Sequence, residues 1–88
     1  MSDHKSNIEI NVLFFARAVE LAQLKTLQVT LPAKSNVATL GDEVASQVPS
    51  LAGLIQFSRW AINNDFVQTD QKLEDGMTVA LIPPVSGG

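Results

Sequence analysis

The last seven residues of the sequence hold its one chemically unusual group, a terminal carboxylate on a thin, stiffened segment. They run Ile82-Pro83-Pro84-Val85-Ser86-Gly87-Gly88. Both prolines hold φ near the polyproline II value, so the tail should leave the domain extended. The two glycines lack a Cβ, which lets a narrow channel of another protein close around them. A slender anion of this kind suits insertion into a partner's active site; the alternative is a disordered tail with chance glycines.

The side chains offer little conventional chemistry. The sequence has no cysteine, which excludes a disulfide, a thiol nucleophile and a thiolate metal site. The single histidine, His4, has no partner at ligand spacing, and Ser86 has no histidine to activate it. Asp42 and Glu43 are consecutive on a helix, where they do not share a face well enough to form an acid/base pair. The turn residues Asp65, Asp70, Glu74 and Asp75 are expected to cap backbone groups. We therefore predict no metal site, and we expect the Gly88 carboxylate to be the reactive group once it is activated, for example as an acyl-adenylate.

Length and charge exclude several classes of function. A chain of 88 residues forms one small domain with little room for a deep catalytic pocket. The net charge of -3, without a basic block, argues against nucleic acid and against an anionic membrane surface as partners. No apolar run approaches the ~20 residues of a membrane span and no signal peptide appears, so we expect a cytoplasmic protein.

Hydrophobic periodicity predicts an alternation of strands and helices. In the first strand, Ile8, Ile10, Val12 and Phe14 share the core face. In the last strand, Val79 and Leu81 should point inward, with Ala80 and Ile82 outward. The predicted elements are a strand at 8–15, a short helix at 16–24, a strand at 27–31, a main helix capped by Asn36 and ended by Pro49, an irregular segment at 51–57, a strand at 60–62 that turns through 63–65 into a return strand at 66–67, a turn at 73–76 and a strand at 77–82.

This order predicts an α+β fold, with one main helix packed on a mixed sheet. The first and last strands are the most apolar, so we expect them to be parallel neighbours at the sheet centre. The β-grasp (ubiquitin-like) arrangement satisfies this pattern and points the tail into solvent. We divide the chain into a disordered leader at 1–7, the β-grasp domain at 8–82 and a flexible functional tail at 83–88.

Several motifs resemble the small subunits of molybdopterin synthase, in order from residue 8 to the end. The specific one is the Pro-Pro-Val-x-Gly-Gly end; the others are individually weak. The full set of five motifs is Val12-Leu13-Phe14-Phe15-Ala16, the Glu20-Leu21 pair, Ala61-Ile62-Asn63, Leu73-Glu74-Asp75-Gly76 and Ile82-Pro83-Pro84-Val85-Ser86-Gly87-Gly88.

The resemblance implies a sulfur carrier of the β-grasp class with no permanently bound cofactor. By resemblance, Gly88 bears a thiocarboxylate and Gly87 is its slender neighbour. An E1-like adenylyltransferase would activate the carboxylate with ATP, and a persulfide donor would supply sulfur. The tail would then enter the large subunit of a heterotetrameric synthase, where sulfur passes to cyclic pyranopterin monophosphate and builds the dithiolene of molybdopterin. The small subunit would be no enzyme on its own.

The sequence departs from the family in two places. The family often has Arg-Glu-Leu where this chain has Val19-Glu20-Leu21, with an arginine displaced to Arg17. Gln23 stands near the position where a helix-ending glycine is common, so the first helix is expected to run longer.

Three interpretations of the tail remain open at this point. The first is the carrier for molybdopterin. The second is a sulfur carrier for thiamine or a thiolated nucleoside. The third is a ubiquitin-like modifier that acylates lysines, or a plain β-grasp binding module.

An outward apolar surface at the root of the tail is the predicted partner-binding site. Strand parity turns Phe15 and Ile82 outward on neighbouring strands, and Phe66 is assigned to the same surface chiefly by family resemblance. Pro83, Pro84, Val85 and Ser86 would line the partner's channel. The alternative is that Phe15 and Phe66 close the edge of the core.

Overall fold

The first strand is built by alternating side chains. In the computed structural model, which describes residues 6–84, β1 runs Asn7–Phe14. Its core-facing residues are buried, which confirms the predicted face, and they are Ile8, Ile10, Val12 and Phe14. β1 starts and ends one residue earlier than predicted. Asn7, assigned to the leader, pairs with Pro32 of the next strand, and Phe15 follows the last ladder pair, Phe14 with Leu81.

The first helix, α1 (Arg17–Ala22), is shorter than the predicted 16–24. Gln23 ends it in the left-handed conformation, with φ 58° and ψ 32°, and its N–H donates to the Val19 carbonyl at 2.7 Å. The expectation of a longer helix is therefore wrong, because a non-glycine residue takes the helix-ending conformation. β2 (Thr26–Pro32) follows, antiparallel to β1.

The main helix, α2 (Val37–Gln47), has the predicted cap. The Thr39 backbone N–H donates to Asn36 Oδ1 at 3.0 Å, which satisfies one of the unpaired donors of the first turn. The buried face of α2 consists of Val37, Leu40, Gly41 and Val44.

The segment at 51–57, predicted to be irregular, is largely helical. A 3-10 turn at Pro49–Leu51 leads into α3 (Ala52–Ile55). Leu51 is buried in the core, and Leu54 and Ile55 pack against it. The prediction was wrong because a single helical turn is too short to show a period of 3.6.

A tight hairpin joins β3 (Arg59–Ile62) to β4 (Asp65–Val67). Asn63 and Asn64 have φ values of 52° and 69°, as a two-residue type I′ turn requires, and this confirms the predicted turn.

The last strand, β5 (Thr78–Ile82), lies at the centre of a five-stranded sheet of order β2-β1-β5-β3-β4. β5 is parallel to β1, which confirms that the first and last strands are parallel neighbours, and it is antiparallel to β3. Val79 and Leu81 are fully buried. The helices cover the core face of the sheet. Within residues 6–84, no helix has the length and apolar character needed to cross a bilayer.

Candidate functional site

The face of the sheet opposite the core carries an apolar patch. Ladder pairing aligns Leu13 with Ala80, Ala80 with Ala61, and Ala61 with Phe66. These side chains form a row across four strands, roughly 14 Å wide at the usual strand spacing. Phe15 and Ile82 lie one step closer to the tail. We call this set the apolar patch: Leu13, Phe15, Ala61, Phe66, Ala80 and Ile82.

The apolar patch forms the floor of an open depression of about 500 Å³, whose rim includes the turn residues Asn63 and Asn64. Phe15 is 46% exposed and Phe66 is 55% exposed. Neither ring belongs to the buried core or to the half-buried shell around it. Phe15 and Phe66 therefore lie outside the core, with about half of each side chain exposed.

An unusual backbone conformation follows Phe15. Ala16 has φ 53° and ψ -125°, a region in which a Cβ is disfavoured. The Phe15 carbonyl accepts from the Ala18 N–H at 3.0 Å, which begins α1. The sharp bend at Ala16 thus turns the chain from β1 into α1 while Phe15 stays on the open side.

β5 leads directly from the patch into the tail. Ile82 is half-buried in the patch, Pro83 is half-buried beyond it and Pro84 is exposed. The predictions for Val85, Ser86, Gly87 and Gly88 fall outside the described residues. The structure therefore brings together Phe15, Phe66, Ile82 and the start of the tail.

Sequence reasoning missed part of the patch. Ala80 was expected to face outward but was not assigned to the site, and Leu13 and Ala61 were named only within family motifs. The inward position of its neighbour Trp60 places Ala61 outward by parity, so that signal was present. The alignment of Ala61 with Ala80 depends on the β3–β5 register, which no local signal fixes.

Ionisable side chains do not gather into a site in the described part of the chain. No group of His, Asp and Glu side chains between residues 6 and 84 is arranged to hold a metal ion. The described residues instead place an exposed apolar patch beside Pro83 and Pro84, where the tail begins.

A mixed sheet with parallel central first and last strands, wrapped over one main helix, defines the ubiquitin-like β-grasp class. Two solved structures share this fold. SAMP1 from Haloferax volcanii has a TM-score of 0.83 at 23% identity, covering 91% of this chain and 99% of that one. A chain in the complex of subunits 1 and 2 of molybdopterin-converting factor from Helicobacter pylori has a TM-score of 0.65 at 20% identity, covering 92% and 100%. At these identities the likeness shows the fold alone.

Sequence similarity identifies the family. The ThiS family model matches residues 12–88. The molybdopterin synthase sulfur carrier subunit of Arabidopsis thaliana is 34% identical over 99% of this chain and 91% of its own length. The chain therefore belongs to the ThiS family, together with the molybdopterin synthase sulfur carrier subunits that it resembles.

Proposed function

We propose that this chain carries sulfur for the synthesis of molybdopterin, as the small subunit of a molybdopterin synthase. The observation that carries the proposal is the 34% identity to a sulfur carrier subunit along nearly the whole of both chains. The family match extends to residue 88, so the Gly-Gly end lies within the similarity.

In this proposal the Gly88 carboxylate cycles through an adenylate and a thiocarboxylate. A carboxylate oxygen attacks the α-phosphorus of ATP on an E1-like adenylyltransferase, and pyrophosphate leaves. The terminal sulfur of a persulfide then attacks the acyl carbon and displaces AMP. A thiol cleaves the resulting acyl disulfide, which leaves the thiocarboxylate and oxidises the donor to a disulfide. ATP is thus consumed on the activating enzyme, and the carrier needs no resident cofactor.

The apolar patch gives the carrier a docking surface for the large subunit. Contiguous exposed apolar side chains usually mark interfaces. Phe15 and Ile82 lie beside the point where Pro83 begins the tail, so docking there would fix the direction in which the tail enters. The fold's presence in a complex of subunits 1 and 2 of molybdopterin-converting factor from Helicobacter pylori supports a two-subunit assembly. We propose that residues 83–88 are the inserted segment, that residues 8–82 are the docking domain and that sulfur transfer takes place in the cytoplasm.

A ubiquitin-like modifier is the second candidate, and it is favoured by one observation. The fold matches SAMP1, a small archaeal modifier protein, with a TM-score of 0.83, although it matches a putative molybdopterin converting factor subunit 1 from Pyrococcus furiosus almost equally, with a TM-score of 0.80. A modifier would pass its activated Gly88 acyl group to a lysine amine instead of exchanging it for sulfur. Sequence similarity outweighs this, because the fold alone does not define function.

Reconstitution separates these candidates. The thiocarboxylated chain is mixed with the large subunit and cyclic pyranopterin monophosphate, and molybdopterin is measured, with the unmodified carboxylate form as the matched control. We expect product from the thiocarboxylate alone. Parallel reactions supply the other acceptors. Lysine conjugates formed with the activating enzyme, ATP and a lysine-bearing protein, without any molybdopterin in the first reaction, would identify a modifier, and sulfur transfer only to an added thiamine or nucleoside precursor would identify a carrier for another pathway.

A further inference from the structure

Arg59 lies at the edge of the apolar patch, on the side where the tail leaves the domain. It pairs with Ile82 in the β3–β5 ladder, level with the last residue of β5. Its guanidinium carbon is 4.1 Å from the centroid of the Phe66 ring, within the range of a cation–π contact. The side chain therefore lies on the same face as the patch and shares one of its aromatic rings.

The Arg59 guanidinium has no intramolecular carboxylate partner in the part of the chain that the structure describes. Its one specific contact there is the Phe66 ring, and both residues are exposed. An arginine packed flat on a ring has lost much of its rotamer freedom before any partner arrives, while its N–H donors still face solvent. Arg59 is thus a cation prepared for an external acceptor.

Two other cations lie at the end of the sheet from which the tail departs. They are Lys25 and Arg17, and Arg17 is already in an ion pair, with its Nη1 4.0 Å from Glu20 Oε1. The Lys25 carbonyl accepts from the Phe14 N–H at 2.9 Å, which places Lys25 beside β1 on the side away from β5 and Ile82.

We propose that Arg59 is a docking residue that pairs with a carboxylate on the large subunit that receives the tail. The inference rests on the proposed function and specifies its partner: an apolar centre that meets the patch, with an acidic group on the rim facing Arg59. A carboxylate is the chemistry that fits, because it accepts two parallel hydrogen bonds from a guanidinium fork. Since Arg59 lies at the rim, it acts mainly on the rate and orientation of encounter.

The test compares Arg59→Gln with Lys34→Gln in binding to the large subunit. Lys34 is an exposed lysine just beyond the end of β2, at the opposite end of the sheet, so this variant removes the same charge far from the patch. Association and dissociation rates are measured by stopped-flow fluorescence at low and high salt. We expect Arg59→Gln to slow association about 5- to 10-fold at low salt, with the difference falling below about 2-fold at 0.5 M salt, where charges are screened. Lys34→Gln should stay within about 2-fold of the unmodified chain.

A third variant, Arg59→Lys, separates charge from shape. It keeps the positive charge but loses the planar fork, so its association rate should lie between those of the original chain and Arg59→Gln. The inference is overturned if Arg59→Gln associates with the large subunit as fast as Lys34→Gln does, or if its slower association persists unchanged at high salt. A defect confined to adenylation by the activating enzyme would also overturn it. If Phe15→Ala weakens binding while Arg59→Gln does not, the inference fails alone; if the original chain does not bind the large subunit, the proposed function fails with it.

Discussion

Truncation of Phe15 should weaken partner binding far more than it weakens the fold. Phe15 is 46% exposed, whereas Phe14, the preceding residue on the core face, is 3% exposed. Removal of a buried phenylalanine side chain costs ~3–5 kcal/mol, so we expect that loss for Phe14→Ala. Because about half of the Phe15 surface is already in water, Phe15→Ala should cost only ~1–2 kcal/mol of unfolding free energy. Because Phe15 is an aromatic anchor of the proposed interface, Phe15→Ala should also cost ~2 kcal/mol or more of binding free energy, about 30-fold in Kd.

The free energy of unfolding and the Kd for the large subunit are both measured on the same variants. Urea unfolding gives the free energy of unfolding for Phe14→Ala and Phe15→Ala, and calorimetric titration with the large subunit gives Kd for the folded variants. Phe57→Ala is the matched surface control, because Phe57 is 71% exposed and does not line the apolar patch. We expect its Kd to stay within about 2-fold of the original. The reasoning is refuted if Phe15→Ala folds and binds with unchanged Kd, or if it destabilises the domain as much as Phe14→Ala does.

Three further substitutions test the local structure and the tail. Gly41→Ala should stabilise the domain by up to ~1 kcal/mol in urea unfolding, because alanine favours the helix and its Cβ would lie 3.5 Å from Trp60 Cζ2, an ordinary contact distance. A loss of stability would contradict this description of the packing around Gly41. Ala16→Gly should relieve a positive-φ strain of ~1–2 kcal/mol, and the greater entropy of glycine in the unfolded chain should offset part of that gain in stability. A destabilised variant in the same assay would show that Ala16 is not strained. Gly87→Val should leave the unfolding midpoint unchanged but block adenylation or sulfur transfer, because its branched Cβ does not fit a channel shaped for bare backbone; normal turnover would exclude a narrow channel.

Local signals in the sequence were sufficient for much of the fold. The alternation of Ile8, Ile10, Val12 and Phe14 fixed the core face of β1, since a period of two has only one buried face. The side chain of Asn36 can cap a helix without help from distant residues. Consecutive asparagines before Asp65 tolerate the positive φ of a tight hairpin, so that turn was also predictable.

Features that depend on distant residues were not predictable. The Gln23 residue adopts the left-handed conformation although glycine is the usual choice, so sequence alone pointed to a longer helix. The position of Arg59 over Phe66 depends on how β3 aligns with β4 and β5, and that register follows from the burial of Trp60 in the assembled core. The sequence therefore predicted a site at the tail with Phe15, Phe66 and Ile82, while the position of Arg59 beside these residues emerged only from the structure.

If the Gly88 carboxyl group carries sulfur to a pterin, a single-turnover mass measurement should record the loss of that sulfur from the chain. The thiocarboxylated chain is mixed with the large subunit and cyclic pyranopterin monophosphate, and the intact mass of the chain is recorded as molybdopterin appears. We predict that sulfur at the C-terminus is replaced by oxygen in step with product, with two chains consumed for each dithiolene because each chain brings one sulfur. Molybdopterin formation while the thiocarboxylate stays intact, or by a chain that lacks Gly88, would contradict the account.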